Sequence, residues 1–384
     1  MRFEFATATR IVFGPGTLKE LGPIAAKTGC RALVVVGKSL ERAKPLIHML
    51  EANGVECERF SVSGEPTIET VELGTDCARG THSDMVIGFG GGSALDTGKA
   101  IAALLTNEGN PLDFLEVVGR GSPLTQPSAP FFAIPTTAGT GTEVTRNAVL
   151  GSPEHRVKVS LRSPHMLPRL ALVDPELTYS LPPGITATTG LDALTQVLEP
   201  YVSCRANPMT DTICREGMLR ASRSLRGACA NGKDADARID MSIASLFGGL
   251  ALANAGLGAV HGFAGPFGGM FPAPHGAVCA GLLPHVMVVN LDAMRQREPE
   301  SPILQRYDEV GKILVGDQAA SAQDGVAWVR EVCTDLKVPF LSTYGFCERD
   351  IPDLIDKASA ASSMKGNPVE LTKTEMEEIL RRAM

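Results

Sequence analysis

The segment DMVIGFGGGSALDTGKA, residues Asp84 to Ala100, decides the fold class. A short apolar run leads into four glycines, a serine and the start of a helix. Glycine lets the backbone approach a ligand closely, and the free amides at a helix N-terminus bind anions such as phosphate. Ser93 is placed to cap that helix or to donate to the same anion. The segment therefore predicts a strand, a loop that cradles a pyrophosphate, and a helix.

Other interpretations of this loop can be compared with its residues. A Walker A loop is disfavoured, because Ser93 stands where its first glycine should be and Ala100 replaces its magnesium-binding hydroxyl. The dinucleotide fingerprint nearly fits Gly88, Gly90 and Ser93, although it normally follows the first strand of a domain. A tight turn without a ligand stays open as an alternative. Three consecutive glycines and a serine exceed what such a turn requires, so we favour the pyrophosphate cradle.

Strand-like and helix-like segments alternate on both sides of this loop. Strands are predicted at RALVVVG (Arg31 to Gly37), at VECERFSV and at FFAIPTT, which begins at Phe131. Helical segments such as SLERAKPLIHMLEANG and TIETVELGTDCARGT separate them. The alternation predicts βαβ crossovers in a parallel, Rossmann-like sheet with helices on both faces. Ligands of such sheets bind beyond the carboxyl ends of the strands.

The pattern changes after LVDPELTYSLPPG, where strand-like runs give way to amphipathic helical stretches such as PMTDTICREGMLRASRSL. The Pro182-Pro183-Gly184 break is the best boundary, since these residues interrupt regular structure. A chain of 384 residues has room for two domains. We therefore predict an α/β dinucleotide-binding domain over residues 1–181 and an all-α domain over residues 182–384, with the active-site cleft between them.

Composition excludes several classes of protein. The net charge of −7, without any basic cluster, argues against a nucleic-acid partner, whose phosphates demand lysine and arginine on one face. Nine cysteines without a C-x-x-C pair predict reduced thiols rather than a disulfide framework. The N-terminal residues have no secretory pattern, and no uninterrupted apolar run reaches about 18 residues. These features predict a soluble cytoplasmic protein that does not associate with a membrane.

A second polar loop, IPTTAGTGTEVT, follows the strand that begins at Phe131. Its threonines and glycines suit hydrogen bonds to the ribose and phosphates of the same cofactor. Threonines also cap helices and pack in loops, so a purely structural function stays open.

Four polar residues in the helical half of the chain have two interpretations, of which one is a metal site. Asp192 and Gln196 are four residues apart in GLDALTQVLEPY, which places them on one helix face. His261 and His275 lie in an almost uncharged segment, and a buried neutral imidazole needs a partner, of which a metal is one of the commonest. An ordinary polar stripe and two hydrogen-bonded core histidines are the other interpretation, and the residues alone leave both open.

Together, these segments resemble the iron-containing (group III) alcohol dehydrogenase family. The resemblance is carried by GGGSALDTGK, IPTTAGTGTEVT, GLDALTQVLEPY and GAVHGFAGPFGGMFPAPHG, and also by RIVFGPGTLKELG and LALVDPELTYSLPP. It implies a dehydroquinate synthase-like architecture and an NAD(P)-dependent, metal-dependent alcohol dehydrogenase or aldehyde or ketone reductase. A metal, Fe²⁺ or alternatively Zn²⁺, would act as the Lewis acid during hydride transfer. The substrate would be a small alcohol or carbonyl compound, and the protein would form a homo-oligomer, a dimer or larger.

By this resemblance the metal ligands and catalytic residues are Asp192, His261 and His275, with Gln196 at the fourth metal position. The family has a histidine where this chain has Gln196. The glutamine would ligate through its amide oxygen or hold a ligating water, or the metal would be weakly bound or absent. A second departure is Gly265, where alcohol dehydrogenases of the family often carry another histidine linked to proton movement. The proton path would then use water or His275, or the substrate preference has shifted.

The resemblance also implies the cofactor contacts: Gly91, Gly92, Ser93, Asp96, Thr136, Thr137, Thr140, Lys158 and Leu177. Members that prefer NAD tend to have an aspartate after the second strand, where this chain has Gly37, Lys38 and Ser39. The missing carboxylate removes a repulsion against a 2′-phosphate, and Lys38 would attract one. We therefore predict that NADP is accepted.

Three other functions are compatible with parts of the pattern. A maleylacetate reductase of the same fold would fit the change at Gln196, although the retained Asp192 argues against it. A cyclase or lyase resembling dehydroquinate synthase needs several basic residues, and none occurs between His261 and His275. A metal-depleted nucleotide-binding protein would keep the glycine loop and lose turnover.

Overall fold

The computed structural model describes residues 2–384, which form two compact units. One unit consists of Thr7–Thr137 and Gly141–Tyr179, and the other contains Ala138–Thr140, Ser180–Met384 and the N-terminal residues up to Ala6. The division into domains at residues 181 and 182 stays a prediction, because compactness alone does not show that either part folds independently.

The first unit is built on a six-stranded parallel sheet. Its strands are β1 (Ile11–Phe13), β2 (Arg31–Val36), β3 (Glu56–Ser61), β4 (Met85–Gly90), β5 (Phe131–Pro135) and β8 (Leu170–Val173). Their order across the sheet is β1-β8-β5-β4-β2-β3. Five helices accompany them: α1 (Leu21–Ala26), α2 (Lys44–Ala52), α3 (Ile68–Gly80), α4 (Gly92–Thr106) and α5 (Pro111–Phe114). The predicted α/β fold with a parallel sheet is confirmed.

Helices cover the sheet on both faces. Leu33 and Val35 of β2 belong to one buried cluster, and Val34 and Val36 belong to another, as the two-residue repeat of a strand requires. Residues of α3 and α4 complete the first cluster, and residues of α1 and α2 complete the second. Strands buried on both faces read as continuous apolar runs, which is why RALVVVG was recognisable in the sequence.

An antiparallel hairpin interrupts the alternation of strands and helices, and the sequence interpretation missed it. It consists of β6 (Asn147–Ser152) and β7 (Val157–Arg162), with Asn147 opposite Arg162. Residues of β6 are alternately buried and half-buried, which is the weak, one-sided pattern of a short antiparallel strand.

The second unit is helical, as predicted. Its helices are α6 (Pro183–Val202), α7 (Pro208–Ala230), α8 (Ala235–Ala255), α9 (Ala259–Met270), α10 (His275–Arg297), α11 (Pro302–Val315), α12 (Ala322–Asp335), α13 (Ile351–Ala360) and α14 (Lys373–Ala383). Helix α6 packs against α7, α8 and α10, and its residues from Gly190 to Val202 are all buried. Polar residues on α6 are therefore held away from bulk water.

Helix α10 is long and apolar enough to cross a membrane by those two criteria alone, and the bent pair of α8 and α9 meets them jointly. Within the bundle, 78% of the apolar window of α10 is buried. Burial of this extent is typical of a core helix in a soluble protein.

Candidate functional site

The predicted cofactor residues of three neighbouring strands meet at one edge of the sheet. Val36 of β2 is level with Phe89 of β4, and Gly90 of β4 is level with Pro135 of β5. The strands are parallel, so the segments that follow them, beginning at Gly37, Gly91 and Thr136, leave the sheet at the same edge. The amide of Thr136 donates to the carbonyl oxygen of Gly90 at 2.8 Å, which ties two of these segments together.

The glycine loop leaves backbone amides free at the start of α4. Gly91 caps the helix, and its carbonyl oxygen accepts from the amides of Ala94 and Leu95. The amides of Gly92 and Ser93 precede these and have no partner within the helix, as at every helix N-terminus. A Cβ on Gly91 would lie 3.3 Å from the side chain of Thr137, so the two loops approach closely here. This arrangement fits an anion such as a pyrophosphate.

Asp96 and Lys99 lie behind this loop and hold the polar loop in place. The carboxylate of Asp96 accepts from the hydroxyl of Thr142 and, at 3.1 Å, from the amide of Val149. Lys99 is fully buried, and its ammonium donates to the carbonyl oxygen of Thr142 at 2.7 Å and to that of Asn147 at 2.8 Å. Both oxygens of Asp96 thus accept from protein groups, and its predicted cofactor contact stays a prediction.

Burial disfavours both charges of this pair and shifts the two pKa values in opposite directions. Burial raises the pKa of Asp96, against the lowering effect of Lys99 and Thr142. Burial also lowers the pKa of Lys99 to about 8, although Asp96 and Glu143 favour its charged form. Each residue, together with the hydrogen bonds around it, thus opposes the effect of burial on the charge of the other.

The remaining predicted cofactor residues are distributed around the same unit, with one exception. The ammonium of Lys158 lies 3.1 Å from a carboxylate oxygen of Glu65. The carbonyl oxygen of Leu177 accepts from the guanidinium of Arg42 at 2.9 Å. Lys38 and Ser39 are exposed after β2. Thr140 belongs to the helical unit instead.

Three of the four predicted metal ligands meet in the helical unit. Asp192 lies in the middle of α6, His261 in the first turn of α9, and His275 at the first position of α10. The Oδ1 atom of Asp192 is 3.4 Å from Nε2 of His261 and 3.8 Å from Nε2 of His275. This Oδ1 is buried and accepts no hydrogen bond from residues 2–384. A buried carboxylate oxygen without a donor beside two imidazole nitrogens fits a divalent cation.

Cys279 joins this cluster, and the sequence interpretation did not anticipate it. Its Sγ lies 3.6 Å from Nε2 of His275 and 3.8 Å from Nε2 of His261. One potential ligand atom from each of Asp192, His261, His275 and Cys279 lies within 4.8 Å of the others. The pattern HGAVC places a cysteine four residues after His275, on the same helix face, and this spacing is the clue that would have identified it.

Glu199 fixes the orientation of His261 and was likewise not anticipated. Its Oε2 lies 2.6 Å from Nδ1 of His261, and its Oε1 accepts from the amide of Val260 at 2.7 Å. A carboxylate only accepts, so Nδ1 carries the proton and the lone pair of Nε2 is directed at the cluster. Such a carboxylate–histidine pair is the usual support of a metal-binding imidazole. Asp192, Gln196 and Glu199 follow one another at helical spacing along α6, which is the sequence pattern that relates them.

Gln196 is buried and makes a contact of its own. Its amide nitrogen donates to the carbonyl oxygen of Gly139 at 2.9 Å. A Cβ on Gly139 would lie 2.8 Å from the side chain of Thr189, so the segment Ala138–Thr140 packs closely on α6. The function of Gln196 as a metal ligand stays a prediction.

The electrostatics of the cluster favour a positive charge. Burial alone raises the pKa of the Asp192 carboxyl, but the imidazoles of His275 and His261 outweigh it and lower that pKa. Burial lowers the pKa of both histidines, yet the net shift is upward. Cys279 and Glu199 raise the pKa of His261, and Cys279 and Asp192 raise that of His275. The surroundings thus stabilise a proton or a metal cation at the same place.

The aromatic residues near the cluster mostly serve packing. Phe263 and Phe267 are fully buried, and the ring centroid of Phe267 lies 4.9 Å from that of Phe271 and 5.4 Å from that of Phe346.

Two family models match the chain on either side of the boundary between its units. The model described as iron-containing alcohol dehydrogenase matches residues 8–175. The model described as the C-terminal region of the Fe-containing alcohol dehydrogenase family matches residues 186–384. The chain belongs to the iron-containing alcohol dehydrogenase family. The predicted family and its class, an oxidoreductase that acts on CH–OH groups, are confirmed.

Members of this family match over nearly the whole chain. Alcohol dehydrogenase 4 of Schizosaccharomyces pombe is 34% identical over 382 residues, which are 97% of this chain and 87% of the relative. The 1,3-propanediol dehydrogenase of Klebsiella pneumoniae is 34% identical over 389 residues, covering 99% of this chain and 98% of the relative.

Solved structures of the family share the fold. The crystal structure of a 1,3-propanediol oxidoreductase superposes with a TM-score of 0.92 at 32% identity, and 100% of each chain is covered. The structure of sulfoacetaldehyde reductase from Bifidobacterium kashiwanohense in complex with NAD+ gives a TM-score of 0.87 at 27% identity, covering 100% of this chain and 99% of that one.

Proposed function

We propose that this iron-type alcohol dehydrogenase interconverts small alcohols with aldehydes or ketones, using NAD or NADP and a divalent metal held by Asp192, His261 and His275. The observation that carries the proposal is the buried, donor-free Oδ1 of Asp192 beside the Nε2 atoms of both histidines. The family relatives that oxidise propanediol and alcohols support the substrate class, and a family structure in complex with NAD+ supports the cofactor.

The chain's own groups have separate tasks in this proposal. A divalent cation in the cluster supplies Lewis acidity toward an alcohol or carbonyl oxygen. Glu199 keeps the proton of His261 on Nδ1, so that Nε2 remains a donor of electrons. The amides of Gly92 and Ser93 bind the pyrophosphate of the cofactor, and the hydroxyls of Thr136 and Thr137 bind its phosphates or ribose.

Measuring metal content and turnover together tests this function. The purified chain is expected to hold about one metal ion per molecule. It should also oxidise members of a panel of primary and secondary alcohols and reduce the matching carbonyl compounds. Turnover should fall on chelation and return with Fe²⁺ or Zn²⁺. A chain that holds no metal and shows no metal-stimulated turnover would contradict the proposal.

The segment after β2 supports the use of NADP. Gly37, Lys38 and Ser39 offer no carboxylate to a 2′-phosphate, and Lys38 is exposed and cationic. Arg42 follows four residues after Lys38, and its guanidinium donates to the carbonyl oxygen of Leu177. We infer that the cofactor's 2′-phosphate is tolerated here and that NADP supports turnover.

Gly37→Asp is expected to lower kcat/KM for NADP by about tenfold or more while leaving that for NAD nearly unchanged. Two like charges about 4 Å apart near a surface repel by up to about 4 kcal/mol before solvent screening, and tenfold requires about 1.4 kcal/mol. A Cβ at Gly37 meets no atom within 4 Å, so the variant should fold normally. Gly37→Asn is the uncharged control of the same size. A strong preference of the unaltered chain for NAD would contradict the inference.

Gly265→His is expected to add a titration near pH 6.5 to the pH profile of kcat, since that is the ordinary pKa of an imidazole. A Cβ at Gly265 meets no atom within 4 Å, so a side chain fits at this position of α9. The control Gly265→Ala should leave the profile unchanged and stabilise the helix by up to about 1 kcal/mol. An unchanged profile in the histidine variant would show that position 265 does not face the reacting groups.

We also propose a cytoplasmic location and a homo-oligomer, a dimer or larger. All nine cysteines are free, as expected for a reducing compartment. Light scattering on the purified protein tests the oligomer, and a monomeric mass at micromolar concentration would contradict it.

A further inference from the structure

We infer that the thiolate of Cys279 is the fourth ligand of the metal, that Gln196 does not ligate, and that the site prefers Zn²⁺ to Fe²⁺. The inference rests on the proposed metal-dependent function and concerns which atoms of this chain complete the site.

The position of Cys279 is that of a ligand. It lies one turn after His275 on α10, so the two side chains extend from the same face of the helix. It is fully buried, and its Sγ approaches both imidazoles on the nitrogen that is directed at Asp192. The sulfur therefore lies beside the imidazole nitrogens of both histidines.

The separations within the cluster come close to those around a single tetrahedral ion. Bond lengths of about 2.0–2.3 Å at tetrahedral angles place neighbouring ligand atoms about 3.3–3.6 Å apart. Oδ1 of Asp192 lies 3.4 and 3.8 Å from the Nε2 atoms of His261 and His275, and Sγ of Cys279 lies 3.8 and 3.6 Å from the same two atoms. All four ligand atoms, which come from three helices, lie within 4.8 Å of one another.

Charge balance also favours the cysteine. Asp192 and a thiolate together neutralise a divalent cation, while two neutral imidazoles complete its coordination. A buried ion needs such compensation because it has lost its hydration. Gln196 would add only a neutral amide oxygen. Its amide nitrogen donates to the carbonyl oxygen of Gly139, a structural contact that does not involve a metal.

The ligand set determines the preferred metal. Thiolate sulfur is a soft ligand, and zinc accepts combinations of cysteine, histidine and carboxylate in tetrahedral sites. A histidine in place of the thiolate would make the ligand set harder.

X-ray absorption on the full-length, zinc-loaded protein tests the inference directly. The expected result is one sulfur neighbour at about 2.3 Å from the zinc, and its loss in Cys279→Ala. The same variant should bind zinc on the order of 100-fold more weakly. Substitutions of residues that only support the ligands typically weaken metal binding by about 10- to 100-fold, so the loss of a ligand should reach or exceed the upper end of that range. Competition between equal concentrations of Fe²⁺ and Zn²⁺ under anaerobic conditions should load mainly zinc into the parent protein.

Three further variants separate ligation from packing. Cys214→Ala removes an equally buried thiol from α7 and should leave the sulfur neighbour and the zinc affinity unchanged. Gln196→Ala should keep the sulfur neighbour and full zinc content. The double variant Gln196→His with Cys279→Ala should regain zinc binding to within about tenfold of the parent, without sulfur, by restoring a fourth ligand.

The outcomes distinguish this inference from the proposed function. A protein that binds metal and turns over, but shows no sulfur neighbour, would overturn the inference and leave the function standing. Unchanged zinc affinity in Cys279→Ala would overturn it as well. A parent protein that binds no metal at all would overturn both.

Discussion

Replacing Asp192 by asparagine is expected to remove the bound metal and to lower kcat/KM by about 1,000-fold or more. The substitution keeps the size of the side chain and deletes the charge that faces both histidines. A metal acting as Lewis acid contributes several kcal/mol, and each 1.36 kcal/mol corresponds to a factor of ten in rate. Metal content per chain and kcat/KM with an alcohol substrate are the measurements.

The stability of the same variant shows whether the loss is one of ligation or of folding. Without metal, Asp192→Asn should unfold at the same temperature as the metal-free parent or higher, because a buried carboxylate oxygen that lacks a donor is replaced by a neutral amide. Asp292→Asn, at an exposed position of α10, is the control and should change neither property. Retention of metal and activity in Asp192→Asn would contradict the proposed ligand set.

Replacing Glu199 by glutamine is expected to weaken metal binding by about 10- to 100-fold. Glu199 accepts from Nδ1 of His261 with one oxygen and from the amide of Val260 with the other. A glutamine has only one carbonyl oxygen, so its amide N–H group must face either the N–H of His261 or the amide N–H of Val260. If the amide nitrogen faces His261, the proton moves to Nε2 and occupies the lone pair that the metal needs.

Metal titration of the purified variant, read by competition with a coloured chelator, measures this loss of affinity. The unfolding free energy should also fall by about 1–3 kcal/mol, because a buried polar contact is lost. Glu370→Gln, an exposed substitution in the same unit, is the control. An affinity equal to that of the parent would show that Glu199 does not orient the histidine.

The parts of the fold that were predictable have local patterns. The buried strands β2, β4 and β5 are short apolar runs, and the glycine loop after β4 is a contiguous motif, so both were recognisable. The hairpin of β6 and β7 was missed because buried residues alternate with half-buried ones along its strands and do not form a continuous apolar run. The two strands pair across the turn at residues 153–156, and this pairing leaves no strong apolar pattern in the sequence.

Only the site residues that lie in recognisable motifs could be predicted from the sequence. Asp192, His261 and His275 were identified because their motifs resemble those of the family. Cys279 and Glu199 depend on how α6, α9 and α10 pack, which brings residues distant in sequence into contact. In the sequence, Cys279 is one of nine scattered cysteines, and only its spacing from His275 relates it to the site.

Asp96 has contacts that its motif does not predict. Its place in the glycine motif implies a contact with the cofactor, which stays a prediction, and its carboxylate also accepts from the hydroxyl of Thr142 and the amide of Val149. The sequence around Asp96 does not predict these contacts, because the two donors, Thr142 and Val149, are 46 and 53 residues away in the chain.

The most direct test of the proposed site is a crystal structure of the purified protein with diffraction recorded on both sides of the absorption edge of its metal. The account predicts one anomalous peak at about 2.0–2.2 Å from Oδ1 of Asp192 and from Nε2 of both His261 and His275. A metal peak elsewhere, in a protein whose turnover depends on that metal, would contradict it.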